Sequence, residues 1–319
     1  MSSTMITFGT YEGGVVGFNA TVEAELSVSL EQIMSTSCHI GCVRSAAATG
    51  RFAVTGGTDE LINVFDTVRR THLGTMGGSV HTSTITALAV AEAPGLLISG
   101  CEDGQIAITK IKDSQTLKSF QGHKSAIMDI SAHPSGKMAL SISTDNTLRM
   151  WDLTRGTCAA LRTVCPIKRP NTGRGIVSIA TMMIRYTPAG SRYALLLPGG
   201  KVEICSSTSM ETAEIDGGFN CVCALTEDFF LAGDSKGTVS VLKTTGSTIE
   251  KVSELSDLHA ARLRGIARVA STSTEAAFAA SVCAGGRIVF SKLDLASGTL
   301  EEVRSVETGM RVTCFTSNC

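Results

Sequence analysis

The sequence predicts an all-β fold: a seven-bladed propeller closed by its N- and C-terminal strands, which share one blade. Three observations predict it. A pattern of small residues, an aspartate- or glycine-bearing turn and an apolar strand recurs along the chain. Its clearest copies stand at a nearly constant interval. The two chain ends, left over when the copies are cut out, add up to one more unit.

The copies read Thr55–Asp66, Ser99–Lys110 and, most fully, Ser141–Asp152. Weaker ones are Leu197–Ile204, Ala232–Leu242 and Ala284–Phe290, and a seventh stands at the start, Gly9–Phe18. The turn aspartates Asp59, Asp103 and Asp145 are 44 and 42 residues apart. That matches the WD40 blade period of about 40–45 residues. Cutting after each strand gives units 20–66, 67–110, 111–152, 153–205, 206–243 and 244–294 of one single domain. Residues 295–319 and 1–19 make up the seventh. A strand around Arg311–Phe315 is therefore expected beside N-terminal strands around Met5–Phe8 and Val15–Phe18, hiding edges that would otherwise template aggregation.

Blades packed face to face should carry near-continuous apolar runs in their middle strands. Ile85–Val90, Leu96–Ile98 and Tyr193–Leu197 are such runs, whereas Thr116–Phe120 has the polarity of an outer strand. The unit 111–152 reads as a complete blade. WD40 blades often hold a buried polar chain, and the likeness of this unit to them implies one here, from the Trp151 indole to Ser141, on to His123, and from His123 to Asp145. Each member then has a partner. His39 with Asp59, and His81 with Asp103, are expected to repeat the arrangement; His259 is a weaker instance and His72 a solvated loop residue. His123, Ser141 and Asp145 have the residue types of a hydrolase triad. No nucleophile elbow or oxyanion motif accompanies them, so the expectation is a structural network and no enzyme.

Composition narrows the function classes. The 319 residues carry 43% hydrophobic and 5% aromatic side chains, so the core must rest on aliphatic residues. A net charge of −1 excludes a globally basic protein that coats nucleic acid, while leaving room for local basic patches. Eleven cysteines are scattered without a CxxC pair, and Cys38 and Cys42 have no matching second ligand pair, so free thiols and no metal are expected. No signal peptide, no apolar run of membrane-spanning length, no phosphate-binding loop and no cofactor motif is visible. The expectation is a soluble intracellular chain without a cofactor.

Two basic clusters stand out. Lys168, Arg169 and Arg174 lie in a long connection of the unit 153–205, and Arg262, Arg264 and Arg268 lie in the unit 244–294. Loops placed by a rigid scaffold commonly carry binding, so these six are the candidate contacts to RNA or to an acidic protein. Arg69–Arg70, Lys110 and Lys112 are read as exposed strand or turn positions.

Three stretches resemble a known family. Phe52–Asp66, Leu97–Ile108 and His133–Leu153 are similar to the PAK-interacting or PAK-inhibitory WD40 proteins, and Gly9–Glu12 with Gly17–Phe18 looks like that family's start. The likeness covers residues 1–20 and about 50–160 and is weak beyond. It implies a nuclear and nucleolar scaffold in ribosome biogenesis that binds early precursors of the large (60S) subunit. The partners implied are assembly factors, ribosomal proteins and pre-ribosomal RNA. It equally implies the alternative of an adaptor that negatively regulates a p21-activated-type kinase. No membrane contact is implied, and the chain is expected as a monomer within a larger complex. Many relatives carry a lysine-rich C-terminal tail, whereas this sequence stops at Cys319 after the closing strand, so any RNA contact is expected on the propeller loops.

Overall fold

The computed structural model describes residues 2–22, 27–77, 80–164, 182–207, 212–271 and 273–318. They form seven four-stranded antiparallel sheets. The closing blade joins β1 (Ser2–Thr10), β2 (Gly14–Val22) and β3 (Val28–Ser37) to the last strand of the chain. Blade one is β4 (Val43–Ala48), β5 (Phe52–Gly57), β6 (Leu61–Asp66) and β7 (Thr71–Gly77). Blade two is β8 (Ile85–Ala91), β9 (Leu96–Cys101), β10 (Gln105–Lys110) and β11 (Gln115–Gln121). Blade three is β12 (Ile127–Ala132), β13 (Met138–Ser143), β14 (Thr147–Asp152) and β15 (Thr157–Thr163). Blade four is β16 (Met183–Tyr186), β17 (Arg192–Leu197), β18 (Lys201–Ser206) and β19 (Thr212–Asp216). Blade five is β20 (Phe219–Ala224), β21 (Phe229–Asp234), β22 (Val239–Thr245) and β23 (Thr248–Leu255). Blade six is β24 (Leu263–Val269), β25 (Ala276–Cys283), β26 (Arg287–Asp294) and β27 (Leu300–Glu307), and β28 (Val312–Ser317) ends the chain.

β28 pairs antiparallel with β1, with Phe315 opposite Phe8, and β1 in turn pairs with β2. The ring is thus a closed seven-bladed propeller. Its sheets are displaced by one strand from the sequence repeats. The outermost strand of each blade stands at the head of the following repeat unit, because it folds back through a short turn onto the strand before it. Unit 111–152 is therefore not one blade. Its opening strand, Gln115–Gln121, completes blade two, and Thr157–Thr163 completes blade three.

Burial follows position in the blade. All six residues of β9 are buried and all seven of β15 are exposed. Middle strands are covered on both faces by neighbouring blades and must be apolar throughout; outer strands reach solvent. Neighbouring blades touch through a recurring contact. A Cβ on Gly56 would lie 2.4 Å from Ile85 Cγ2, and one on Gly100 2.9 Å from Ile127 Cγ2. Gly9 against Val43 and Gly233 against Leu263 repeat the contact at other blade junctions. In each case the first residue of an innermost strand fills the space that a missing side chain leaves in the blade before it.

This contact makes a prediction. Gly56→Ala should cost roughly 1–3 kcal/mol by overpacking, and Ile85→Ala roughly 2–5 kcal/mol by cavity formation. Because the two changes act on one space, the double variant should lose less than the sum in urea unfolding. Strict additivity would contradict the contact.

Candidate functional site

The loops that lead into the innermost strands are anchored by buried polar groups. In blade three the Trp151 indole N–H donates to Ser141 Oγ at 2.9 Å, and Ser141 Oγ lies 2.7 Å from His123 Nε2. His123 Nδ1 is 3.1 Å from Asp145 Oδ2. With the Nδ1–H given to the carboxylate, Nε2 is the acceptor of the Ser141 hydroxyl, which fixes a neutral tautomer. Asp145 also accepts from the Lys124 and Thr147 backbone N–H groups and from the Thr147 hydroxyl. These bonds hold its carboxyl below the usual carboxylate range although burial opposes them. Burial pushes the His123 imidazole down, against the pull of Asp145. Ser141 is fully buried between the indole and the imidazole, so this trio presents no hydroxyl to a substrate.

Other blades vary the theme. His39 Nδ1 is 2.9 Å from Asp59 Oδ1 and its Nε2 is 2.9 Å from Thr55 Oγ1. Asp59 also accepts from the Ile40 N–H at 3.0 Å, so the loop before β4 is tied to the turn between β5 and β6. In blade two the expected pair does not form. His81 Nε2 meets Ser99 Oγ at 2.7 Å, but Asp103 is exposed and makes no bond to His81. Asp145 is braced by the Thr147 hydroxyl two residues on; Gln105 occupies that position after Asp103 and bonds Ser119 instead. His259 meets Ser281 at 2.8 Å, and its buried Nδ1 has no partner among the described residues. Burial, with Arg287 nearby, pushes it down to about 4. His72 is not a loop residue: it stands on β7 and bonds Asn63 Oδ1 at 3.0 Å.

The six candidate contact residues divide. Lys168, Arg169 and Arg174 lie outside the described residues. Arg262 is exposed just ahead of β24, whereas Arg264 and Arg268 are the second and sixth residues of that strand, near its opposite ends. The last two are thus not loop residues as their spacing suggests; they face the central channel, an open cavity of about 600 Å³ lined by the innermost strands. The sequence reading missed Arg44, Asp129 and Arg185, which line it too. Arg185 forms an ion pair with Asp129, whose carboxylate also accepts from the Ile184 N–H at 2.9 Å and so clamps blade three to blade four. A usable signal existed: Val43-Arg44-Ser45 and Leu263-Arg264-Gly265 repeat an apolar–Arg–small pattern. The remaining basic positions are peripheral. Arg70 pairs with Glu31 at 2.7 Å, Arg69 lies 3.9 Å from Asp66, and Lys110 and Lys112 are exposed. Among the described residues no group of three or more His, Cys, Asp or Glu could hold a metal ion, and nine cysteines are free thiols.

Two predictions test these anchors. Trp151→Ala should cost roughly 3–5 kcal/mol in chemical denaturation, as large-to-small aromatic core changes do. An equally stable variant would contradict the blade-three network. His81, His123 and His259 all titrate below their ordinary value in the folded chain. The unfolded chain therefore binds protons first, and stability should fall as pH drops below about 6.5. His259→Gln should make that fall shallower; a urea midpoint flat between neutral pH and pH 5 would contradict the buried neutral imidazoles.

The comparisons with known proteins agree with this architecture. The family model "WD domain, G-beta repeat" matches residues 71–109 and 114–152. A chicken protein, p21-activated protein kinase-interacting protein 1-like, is 32% identical over 209 residues, 66% of this chain and 51% of the relative. The human p21-activated protein kinase-interacting protein 1 is 32% identical over 214 residues, 66% of this chain and 50% of that protein. Protein MAK11 of Saccharomyces cerevisiae is 26% identical over 158 residues, 43% of this chain and 38% of its own. The chain spans about half the length of these curated relatives. Among solved structures, "Structure of U3-55K" superposes with a TM-score of 0.69 at 12% identity, covering 86% of this chain and 84% of that one, a likeness of fold. The repeat pattern, the closed ring and these relatives together make the chain similar to the PAK-interacting WD40 proteins.

Proposed function

We propose that this chain is a non-catalytic scaffold of ribosome biogenesis that binds early precursors of the large (60S) subunit in the nucleus and nucleolus. Its contacts are assembly factors and ribosomal proteins, with pre-ribosomal RNA as a further contact, and it works as a monomer within that larger complex. The observation that carries the reading is the family likeness of three stretches, Phe52–Asp66, Leu97–Ile108 and His133–Leu153, which form β5, β6, β9, β10, β13 and β14. The structure adds a physical reason for a binding role. Loops of blades one and three are tied to the turns opposite them by His39–Asp59 and His123–Asp145, so they are presented rigidly. A partner that meets a rigid surface loses little conformational freedom of that surface on binding.

A second reading has its own support. Several relatives are named for an interaction with p21-activated kinase, which favours an adaptor that negatively regulates such a kinase. It predicts direct capture of a kinase regulatory segment by the purified chain.

The test is affinity purification of the tagged chain, with RNA sequencing and mass spectrometry of what accompanies it. Precursor RNA of the large subunit and its assembly proteins are expected, and depletion should lower mature large-subunit RNA. Normal ribosomal RNA processing after depletion would sink the reading. Reversal of Lys168, Arg169 and Arg174 to Glu should leave folding intact and weaken precursor association; full association would remove that segment from the contact.

A further inference from the structure

The innermost strands share a detail that pairing register reveals. β4 shifts register between Val43 and Ser45 against β5, which leaves Arg44 as an extra, unpaired residue. The same shift isolates Thr86 in β8, Met128 in β12, Asn220 in β20 and Arg264 in β24, and in β28 it isolates Thr313 between Val312 and Cys314. A bulge re-aims a side chain. Six blades therefore aim their bulged residue at one end of the ring, and Arg44, Thr86, Met128, Arg264 and Thr313 line the channel there. Charge is concentrated on one side of this ring. Arg264 and Arg44 belong to the blades on either side of β28, and both are exposed.

Among the described residues, the carboxylates that line the channel are Glu92 and Asp129. Glu92 lies beyond the far end of β8 and accepts from the Gly50 N–H at 3.2 Å. Asp129 is committed to Arg185 and to the Ile184 and Ile130 N–H groups. Burial, and next to it the like charges of Arg262 and Arg44, pull the Arg264 guanidinium below its ordinary value. Like charges gather at this mouth, an arrangement that an added anion relieves.

The loop that leads into the Arg44 strand carries an exposed apolar group. Ile40, four residues before Arg44, is 89% exposed although its backbone is held by Asp59. Tyr11, 56% exposed, carries the Arg311 guanidinium 4.7 Å over its ring. The two loops are locked together, since a Cβ on Gly13 would lie 2.2 Å from the His39 carbonyl oxygen. An aromatic ring and an aliphatic side chain on two joined loops, with arginines in the strands that follow, have the composition of binding hot spots.

We propose that this mouth of the channel is a docking site for an acidic segment of a partner protein, its carboxylates received by Arg44 and Arg264 and an adjoining apolar side chain covering Ile40 and Tyr11. A protein segment fits better than a nucleic acid strand. Nucleic acid affinity rests on many neutralised phosphates, whereas the charge here is a small local group of arginines in a chain of net charge −1. Base stacking along a strand uses a series of open aromatic faces, and one face of Tyr11 carries Arg311. The inference rests on the scaffold reading above and deepens it, without depending on which assembly the scaffold serves.

The test selects a random short-peptide display library on the immobilised full chain and measures resynthesised peptides by fluorescence anisotropy. Enriched sequences should carry Asp or Glu next to an apolar residue. Affinity should fall roughly tenfold or more in the Arg44→Glu, Arg264→Glu double variant, with an unchanged melting temperature, and by a smaller factor in Ile40→Ser. If the double variant melts earlier, Arg44→Gln with Arg264→Gln repeats the measurement. The proposal is overturned if no sequence is enriched, if enriched peptides lack acidic residues, or if their affinity survives the substitutions. It is also overturned if an oligouridylate binds more tightly and loses that binding in the same variants. Peptide binding without co-purifying ribosomal precursors would sink the pathway reading and leave the docking site standing; the reverse outcome would do the opposite.

Discussion

The structure depends on one pairing, that of β28 with β1. Residues some 300 positions apart in sequence lie in one ladder, with Thr7 opposite Thr316 and Gly9 opposite Cys314. Further bonds secure the seam: the Met5 N–H donates to Asn318 Oδ1 at 2.8 Å, and Thr313 Oγ1 donates to the Gly9 carbonyl at 3.0 Å. Every blade is narrow and buries its middle strands against two neighbours. An open ring would leave two such faces, and the edge of a strand, in water. Closure is what converts seven weak sheets into one core.

From that closure the binding surface follows. At four junctions a blade presses the first residue of its innermost strand into the one before it, as Ile85 does against Gly56, and the next residue is the extra one of a bulge. The bulge then points into the channel mouth. One packing rule, repeated, creates a set of positions without a ladder partner on the neighbouring strand. Two of these positions hold arginine. The histidine anchors act on the same end, by holding the loops that lead into the bulged strands.

Much of this was legible in the residues. Trp151, Ser141, His123 and Asp145 lie within one stretch of chain, and their spacing alone shows that they can meet. The count of seven followed from the period of the turn aspartates and from what remained at the two ends. Other features were hidden for physical reasons. Asp103 has the same spacing as Asp145, but its orientation depends on the next side chains, and Gln105 gives it no brace where Thr147 would. The offset between repeat and blade is invisible because a strand's partner is chosen by the turn that precedes it. Arg44 and Arg264 look like ordinary surface cations until the register shows them to be the extra residues of two bulges. The linker carrying Lys168, Arg169 and Arg174 offers no periodic pattern from which its course could be read.

The most direct test of the account is the equilibrium unfolding of a circular permutant. The new ends are placed in the exposed turn around Asp113, between β10 and β11, and the original ends are joined by a short glycine–serine linker. A closed ring whose ends meet in one blade predicts a folded permutant with a single cooperative transition near that of the parent chain. A permutant that fails to fold, beside a chain lacking Val312–Ser317 that unfolds cooperatively at the parent's midpoint, would contradict closure by the terminal strands.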